Sequence, residues 1–201
     1  DSNEPSPLPC LKQAVDILAN GGAQCFGMAC VTAHHWWPQI AAHCQGRMEP
    51  ISLLDLVAAK ARALGCSKSS SLVLLGTLGS QVSGALEKVA DEAGVKAVWP
   101  SMNTCGDAMD LIGDIKRSNG LDGYAEFSQR LQGLAFRAQQ ETGSLAAALC
   151  CTELSLPPRG KFPPSVDAIE ELAEALYQLW KAKSTSLDEN RAFSSQRTSS
   201  T

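Results

Sequence analysis

Cys25-Phe26-Gly27-Met28-Ala29-Cys30-Val31-Thr32-Ala33-His34 is the stretch on which the fold turns. The apolar run from Cys25 to Ala29 reads as a buried strand, and Thr32 to about Cys44 as the helix that follows it. The Cys30 thiol then stands at the carboxyl end of a strand, beside a helix amino terminus. Unpaired N–H groups and the helix macrodipole favour the thiolate in such a place. The design returns at Ala146-Ala147-Ala148-Leu149-Cys150-Cys151-Thr152-Glu153-Leu154. There Cys151 takes the position of Cys30, while Cys150, its neighbour on an alternating strand, points into the core. Ligands of open α/β sheets bind at the carboxyl ends of strands. Two thiols facing each other across one cleft suit proton transfer at a carbon, one abstracting while the other donates on the opposite face. A buried core cysteine is the plainer account of either thiol alone; the shared strand-end placement argues for chemistry.

Outward from these stretches, helices and strands alternate. Residues 1–7 are a polar lead-in. Leu8, Leu11, Ala14, Val15 and Leu18 recur at helical spacing, and Asn20-Gly21-Gly22 stops that helix. Pro38 predicts a kink or restart within the helix after Cys30. A helix is expected from about Leu53 to Leu64, a strand at Ser71–Gly76, a helix running on to Ala93, and a short strand at Val95–Trp99. A short helix at Asp107–Arg117 follows, and Tyr124, Phe127, Leu131, Leu134, Ala135 and Ala138 mark a long amphipathic one. The strand Leu145–Cys150, a loop from Pro157 to Pro164 and a helix from Val166 to Lys183 complete the order. The tail from Ser184 lacks apolar periodicity and is expected to be disordered. Strands alternating with helices point to an α/β fold around parallel sheet, with only about four strands for many helices.

At 201 residues, 44% apolar and 19% charged, the chain is an ordinary globular one. A net charge of −4 without a basic stripe leaves no case for nucleic acid as the partner. No apolar run approaches the ~20 residues of a membrane span, so no membrane role is expected. The start carries no signal-peptide pattern, which points to the cytoplasm, although a chain beginning at Asp1 leaves room for an upstream targeting peptide. Four of the eight cysteines, Cys25, Cys30, Cys150 and Cys151, lie in or at the ends of apolar runs, so reduced thiols are expected rather than a disulfide framework.

His34, His35, His43 and Cys44 lie close to Cys30 in sequence, but their spacing does not match the paired ligands of a closed zinc site, and no metal is expected. His34, one turn beyond Cys30, is placed to orient or polarise the site, and Trp36 and Trp37 read as packing. Thr77-Leu78-Gly79-Ser80, after the strand Ser71–Gly76, opens a helix with free N–H groups and hydroxyls that suit a carboxylate. It also reads as an ordinary N-cap, and the two readings are compatible. The chain has neither a phosphate loop nor a GxSxG elbow.

Cys30-Val31-Thr32-Ala33-His34 resembles the CNTAH motif of the aspartate/glutamate racemase family, and Cys151-Thr152-Glu153-Leu154 resembles its second motif, CTE and an aliphatic residue. Gly76 to Ser80, continuing to Gly84, looks like the family's hydroxyl-rich segment between them. The likeness runs in order from about Leu11 to Trp180, and the histidine after the first motif with CTE in the second favours the aspartate-racemase branch. It implies two pseudo-symmetric α/β lobes of mainly parallel sheet flanked by helices. Residues 1–48 with 162–183 would form a first lobe lacking its opening strands, and 49–161 the second. It implies inversion of the α-carbon of an acidic amino acid, aspartate first, without pyridoxal phosphate or any other cofactor. Cys30 and Cys151 would be the acid/base pair. Thr32, Thr77, Ser80 and Thr152 would bind substrate, with His34 and Glu153 supporting them. Lys116 would meet the side-chain carboxylate, where a cation suits a dicarboxylate. The partner would be a small amino acid or dicarboxylate, and homodimers are common in such a family. Val31 departs from the usual asparagine and removes one polar contact. A decarboxylase or isomerase of the same fold using one cysteine, or a non-catalytic binding protein, are the alternatives.

Overall fold

The computed structural model describes residues 5–118, 124–158 and 162–198, with side chains described as far as 183. Two parallel sheets organise them. The first pairs β1 (Cys25–Gly27) with β2 (Glu49–Ile51), Cys25 opposite Glu49. Between these strands the chain forms a 3-10 helix, Thr32–Trp36, and then α2 (Trp37–Cys44). Pro38 is the reason for the restart: in the first turn its missing N–H has no intrahelical partner to lose. Before them, α1 (Leu8–Asn20) packs on α2, and Val15, Phe26, Ile40, Cys44 and Met48 form a small apolar core.

The second sheet has four parallel strands in the order β4-β3-β5-β6. They are β3 (Leu72–Leu75), β4 (Ala97–Val98), β5 (Ala146–Leu149) and β6 (Ser165–Asp167). Every residue of β3 and β5 is buried, the pattern of a sheet covered on both faces. Period-two alternation sends Leu72, Leu74, Ala146 and Ala148 to one core. That core is filled by α3 (Leu53–Ala63), α5 (Ala85–Glu92) and α8 (Ala168–Thr198). Val73, Leu75, Ala147 and Leu149 face α6 (Met102–Arg117) and α7 (Tyr124–Thr142) on the other side. Each leucine so buried contributes about 1.5–3 kcal/mol. After β3 the chain turns to one side, to β4, and after β5 to the other, to β6. The reversal between β3 and β5 opens a crevice at their carboxyl ends, where α/β sheets bind ligands.

The expected strands and helices are present, with differences. Six strands form among the described residues, not four: β2 and β6 are three residues each, and Pro50 and the Pro163-Pro164 pair hide them. Residues 49–51 pair with β1 in the first sheet, and 165–167 with β5 in the second. The helix after β3 is divided at Gly84, whose φ of +60° separates α4 (Leu78–Ser83) from α5. Ser101 accepts from the Thr104 N–H and so starts α6 five residues before Asp107. Helical backbone continues past Ser184 to Thr198, where disorder was expected. Composition does not explain this, since Ser, Thr, Asp and Asn fill much of the segment, but extending a packed helix needs no new nucleus. Residues 1–4 of the polar lead-in, 159–161 of the loop, and 199–201 of the tail lie outside the described residues.

Candidate active site

Four segments from distant parts of the chain meet in one cleft of about 220 Å³. Its wall is formed by Ala29 to Thr32, by Thr77 and Ser80, by Lys116, and by Cys150 to Glu153. Of the residues singled out from sequence, Cys30, Thr32, Thr77, Ser80, Lys116, Cys151, Thr152 and Glu153 all line it; His34 lies behind. The Thr77 and Cys151 loops follow β3 and β5, so they flank the reversal of strand order.

Three hydroxyls form a triangle. Thr32 Oγ1 lies 2.9 Å from Ser80 Oγ and 3.2 Å from Thr77 Oγ1, and the last two are 3.0 Å apart. Thr77 is also the N-cap of α4, its hydroxyl accepting from the Ser80 N–H at 3.2 Å, so the capping expectation holds. Gly79 lets the segments approach: a Cβ there would stand 3.1 Å from Thr32 Cγ2. Gly76 does the same below, where a Cβ would meet Cys150 Cβ at 3.1 Å.

The two thiols differ. Cys30 is exposed at the cleft. Cys151 is partly buried and donates to Glu153 Oε2 at 2.8 Å. Burial, and then the Glu153 carboxylate, push its thiol up to about 12. At Cys151 the expected thiolate is therefore not found: the 3-10 helix Thr152–Ser155 is one turn long, and burial with a facing carboxylate outweighs its N–H groups. Burial raises the Glu153 carboxyl, but it still lies below the usual range. It accepts from Cys151 and from Thr152 Oγ1 at 2.9 Å, and Lys116 Nζ is 3.5 Å from its other oxygen. The proton is on sulfur and the charge on oxygen. Cys150 points into the core, as alternation predicted, and burial pushes its thiol up further still.

His34 is 3% exposed. Its Nδ1 is 2.7 Å from the Cys30 carbonyl oxygen, and its Nε2 is 3.3 Å from the Leu53 N–H nitrogen. A carbonyl only accepts and an amide N–H only donates, so the ring is the neutral tautomer with hydrogen on Nδ1. Burial lowers its pKa, which keeps it neutral. Trp37 stacks on the ring at 5.0 Å, the packing role expected of it. Leu53 was not singled out, because a backbone N–H leaves no mark on a sequence. Val31 is 4% exposed and packs in the core of the second sheet, among Leu54 and Leu86. His43 is paired with Asp16 at 2.9 Å, and Cys44 is buried in the first core.

A family model described as Asp/Glu/Hydantoin racemase matches residues 1–176. No curated protein sequence matches the chain. Among solved structures, an aspartate racemase from Picrophilus torridus is similar, with a TM-score of 0.69 and 23% identity over 88% of this chain and 70% of that one. An aspartate racemase homologue from Pyrococcus horikoshii gives 0.67 and 20% over 85% and 73%. A glutamate racemase from Bacillus anthracis gives 0.59 and 17% over 89% and 67%. No helix among the described residues is long and apolar enough to cross a membrane.

Proposed function

Because this chain belongs to the Asp/Glu/hydantoin racemase family, we propose that its cleft inverts the α-carbon of a small acidic amino acid, aspartate first, by proton transfer between two thiols. The observation that carries this reading is the convergence of Cys30 and Cys151 on one cleft, the second thiol protonated and held by a carboxylate. The Thr32, Thr77 and Ser80 hydroxyls receive the α-carboxylate, and Lys116 exchanges its 3.5 Å contact with Glu153 for the side-chain carboxylate. Cys30, as thiolate, takes the α-proton and becomes a thiol, leaving a planar carbanion whose charge spreads into the carboxylate. Cys151 gives its proton to the opposite face, forming the C–H bond of the other enantiomer and leaving its own thiolate. The reverse direction needs Cys151 deprotonated at the start, and Glu153 Oε2 at 2.8 Å is the acceptor. Every proton is carried by a group of this chain.

The reading is tested by following α-proton exchange of L-aspartate in D2O by NMR, with chiral chromatography on the same samples. The parent, Cys30→Ala and Cys151→Ala chains are run together, and L-glutamate and a 5-substituted hydantoin in parallel. Exchange with inversion in the parent, abolished in both variants, is the expected result. Inversion that survives either substitution, or a folded parent inert towards all three compounds, refutes it.

A further inference from the structure

The loop that carries Cys30 leaves the first sheet, yet its anchors are in the second unit. Val31 is buried in the core of the second sheet. Thr32 bonds to Thr77 and Ser80 beyond β3. His34 bridges the Cys30 carbonyl to the N–H of Leu53, the first residue of α3, whose buried face also fills that second core. We propose that His34 is a positioning residue, which fixes the Cys30 peptide on the amino terminus of α3 and so sets where the exposed thiol stands against a cleft built otherwise from the second sheet. This rests on the racemase reading for its catalytic consequence, but not for its geometry.

The ring is suited to the task. It is buried, clamped by the stacked Trp37, and both nitrogens are engaged with backbone groups that cannot exchange roles. Its two bonds replace contacts that water cannot supply at that depth, and Cys30 is attached through its own carbonyl rather than through a flexible side chain. Val31 and Thr32 hold the loop through their own side chains, in the second core and on the hydroxyls, and the hydrogen bond to the Cys30 carbonyl needs a further side chain. His34 supplies it.

Two measurements on the full chain test the proposal. The first is the ring nitrogens of His34, read from long-range proton–nitrogen correlations of uniformly labelled parent protein near pH 7.5. Hydrogen on Nδ1 with Nε2 bare is expected; hydrogen on Nε2 overturns the proposal, and this needs no variant to fold. The second compares His34→Asn with His34→Gln. Asparagine places a donor where Nδ1 stands, and glutamine an amide where Nε2 stands. Asparagine is therefore expected to keep the Cys30 carbonyl bond and glutamine to lose it. Alkylation of Cys30 by iodoacetamide, measured by peptide mass spectrometry against exposed Cys10 on α1, is expected to stay near the parent rate in the first and to change severalfold in the second. The kcat for racemisation falls about 10- to 100-fold in the glutamine variant while KM, set by the hydroxyl triangle, changes little. Equal Cys30 alkylation in parent and glutamine variant, both folded, overturns the proposal. A folded parent inactive on every substrate sinks the racemase reading alone, since the ring nitrogens and the alkylation ratio still decide this one.

Discussion

Glu153→Gln separates what burial does to Cys151 from what the carboxylate does. The thiol stands at about 12 instead of 9.0, so at pH 8 only about one molecule in ten thousand carries the thiolate there. Burial is the largest cause and survives the substitution, because glutamine has the same shape. The accepted hydrogen bond and the negative charge, 2.8 Å from the sulfur, do not survive. A unit charge at that separation is worth at most roughly 6 kcal/mol at an effective dielectric of about 20. Lys116 beside Glu153 and the opening of the cleft to solvent reduce this to the order of 1.5–3 kcal/mol. Because alkylation follows the thiolate fraction, the rate at Cys151 is expected to rise about 10- to 100-fold at pH 8, with Cys30 as the internal reference. Racemisation is expected to fall, since Cys151 loses the carboxylate that holds its proton at the cleft. Iodoacetamide labelling with peptide mass spectrometry measures the first effect and chiral chromatography the second. Cys151 alkylation that is unchanged or slower in a folded Glu153→Gln protein would refute the assignment of proton to sulfur and charge to oxygen.

Gly79→Ala puts a methyl group 3.1 Å from Thr32 Cγ2, so that threonine must give by a few tenths of an ångström, which disturbs the hydroxyl triangle. KM is expected to rise about tenfold with a smaller change in kcat, as steady-state kinetics will show. Val31→Asn places an amide in a core where the valine is 4% exposed, and denaturant unfolding is expected to lose about 1–3 kcal/mol. Stability should also carry the mark of His34, whose pKa burial lowers against smaller opposing pulls from the bond to the Cys30 carbonyl and from Asp55 on α3. Lys88 and Glu92 of α5 and neighbouring His35 line, with His34 and Asp55, a second pocket distinct from the cleft. The unfolded chain protonates this histidine more readily than the folded one, so its contribution is complete above the ordinary 6.5 and is lost as pH falls from there towards the lower folded value. The stability difference between parent and His34→Asn should shrink across that window, and a difference independent of pH between 7 and 5 counts against a neutral His34.

What could be read in the sequence follows the strength of local signals. The four strands that were foreseen lie within mostly apolar runs, as in Leu72–Leu75, although β1 is three residues long and β4 only two. The two that were missed, Glu49-Pro50-Ile51 and Ser165-Val166-Asp167, are three residues long and recognisable only by the neighbours they pair with. Cys30, Thr32, Thr77, Ser80, Cys151, Thr152 and Glu153 each come after a strand end and line one cleft, which Lys116, near the end of α6, also lines. The protonation of Cys151 could not be read in the sequence, because the helix that was to favour a thiolate is one turn long and the opposing charge comes from a residue two positions on. Val31 reads as a lost polar contact in sequence; in the fold it is a core residue that pins the loop. The second role of Leu53 resides in its backbone, which no side-chain pattern encodes.

The four-segment construction of the cleft has a consequence during synthesis. Cys30 leaves the ribosome long before its anchors: Leu53, then Thr77 and Ser80, and last the strand that ends at Cys151. At about 5–20 residues per second, the interval between the two cysteines is roughly 6–24 s. Through that time the first thiol, three residues beyond β1, lacks the wall of the cleft that Cys151 and Glu153 supply, and it is open to oxidants and to premature mixed disulfides. Its safety depends on the surroundings in which the chain is made, until β3 and β5 pair and the rest of the cleft is built around it.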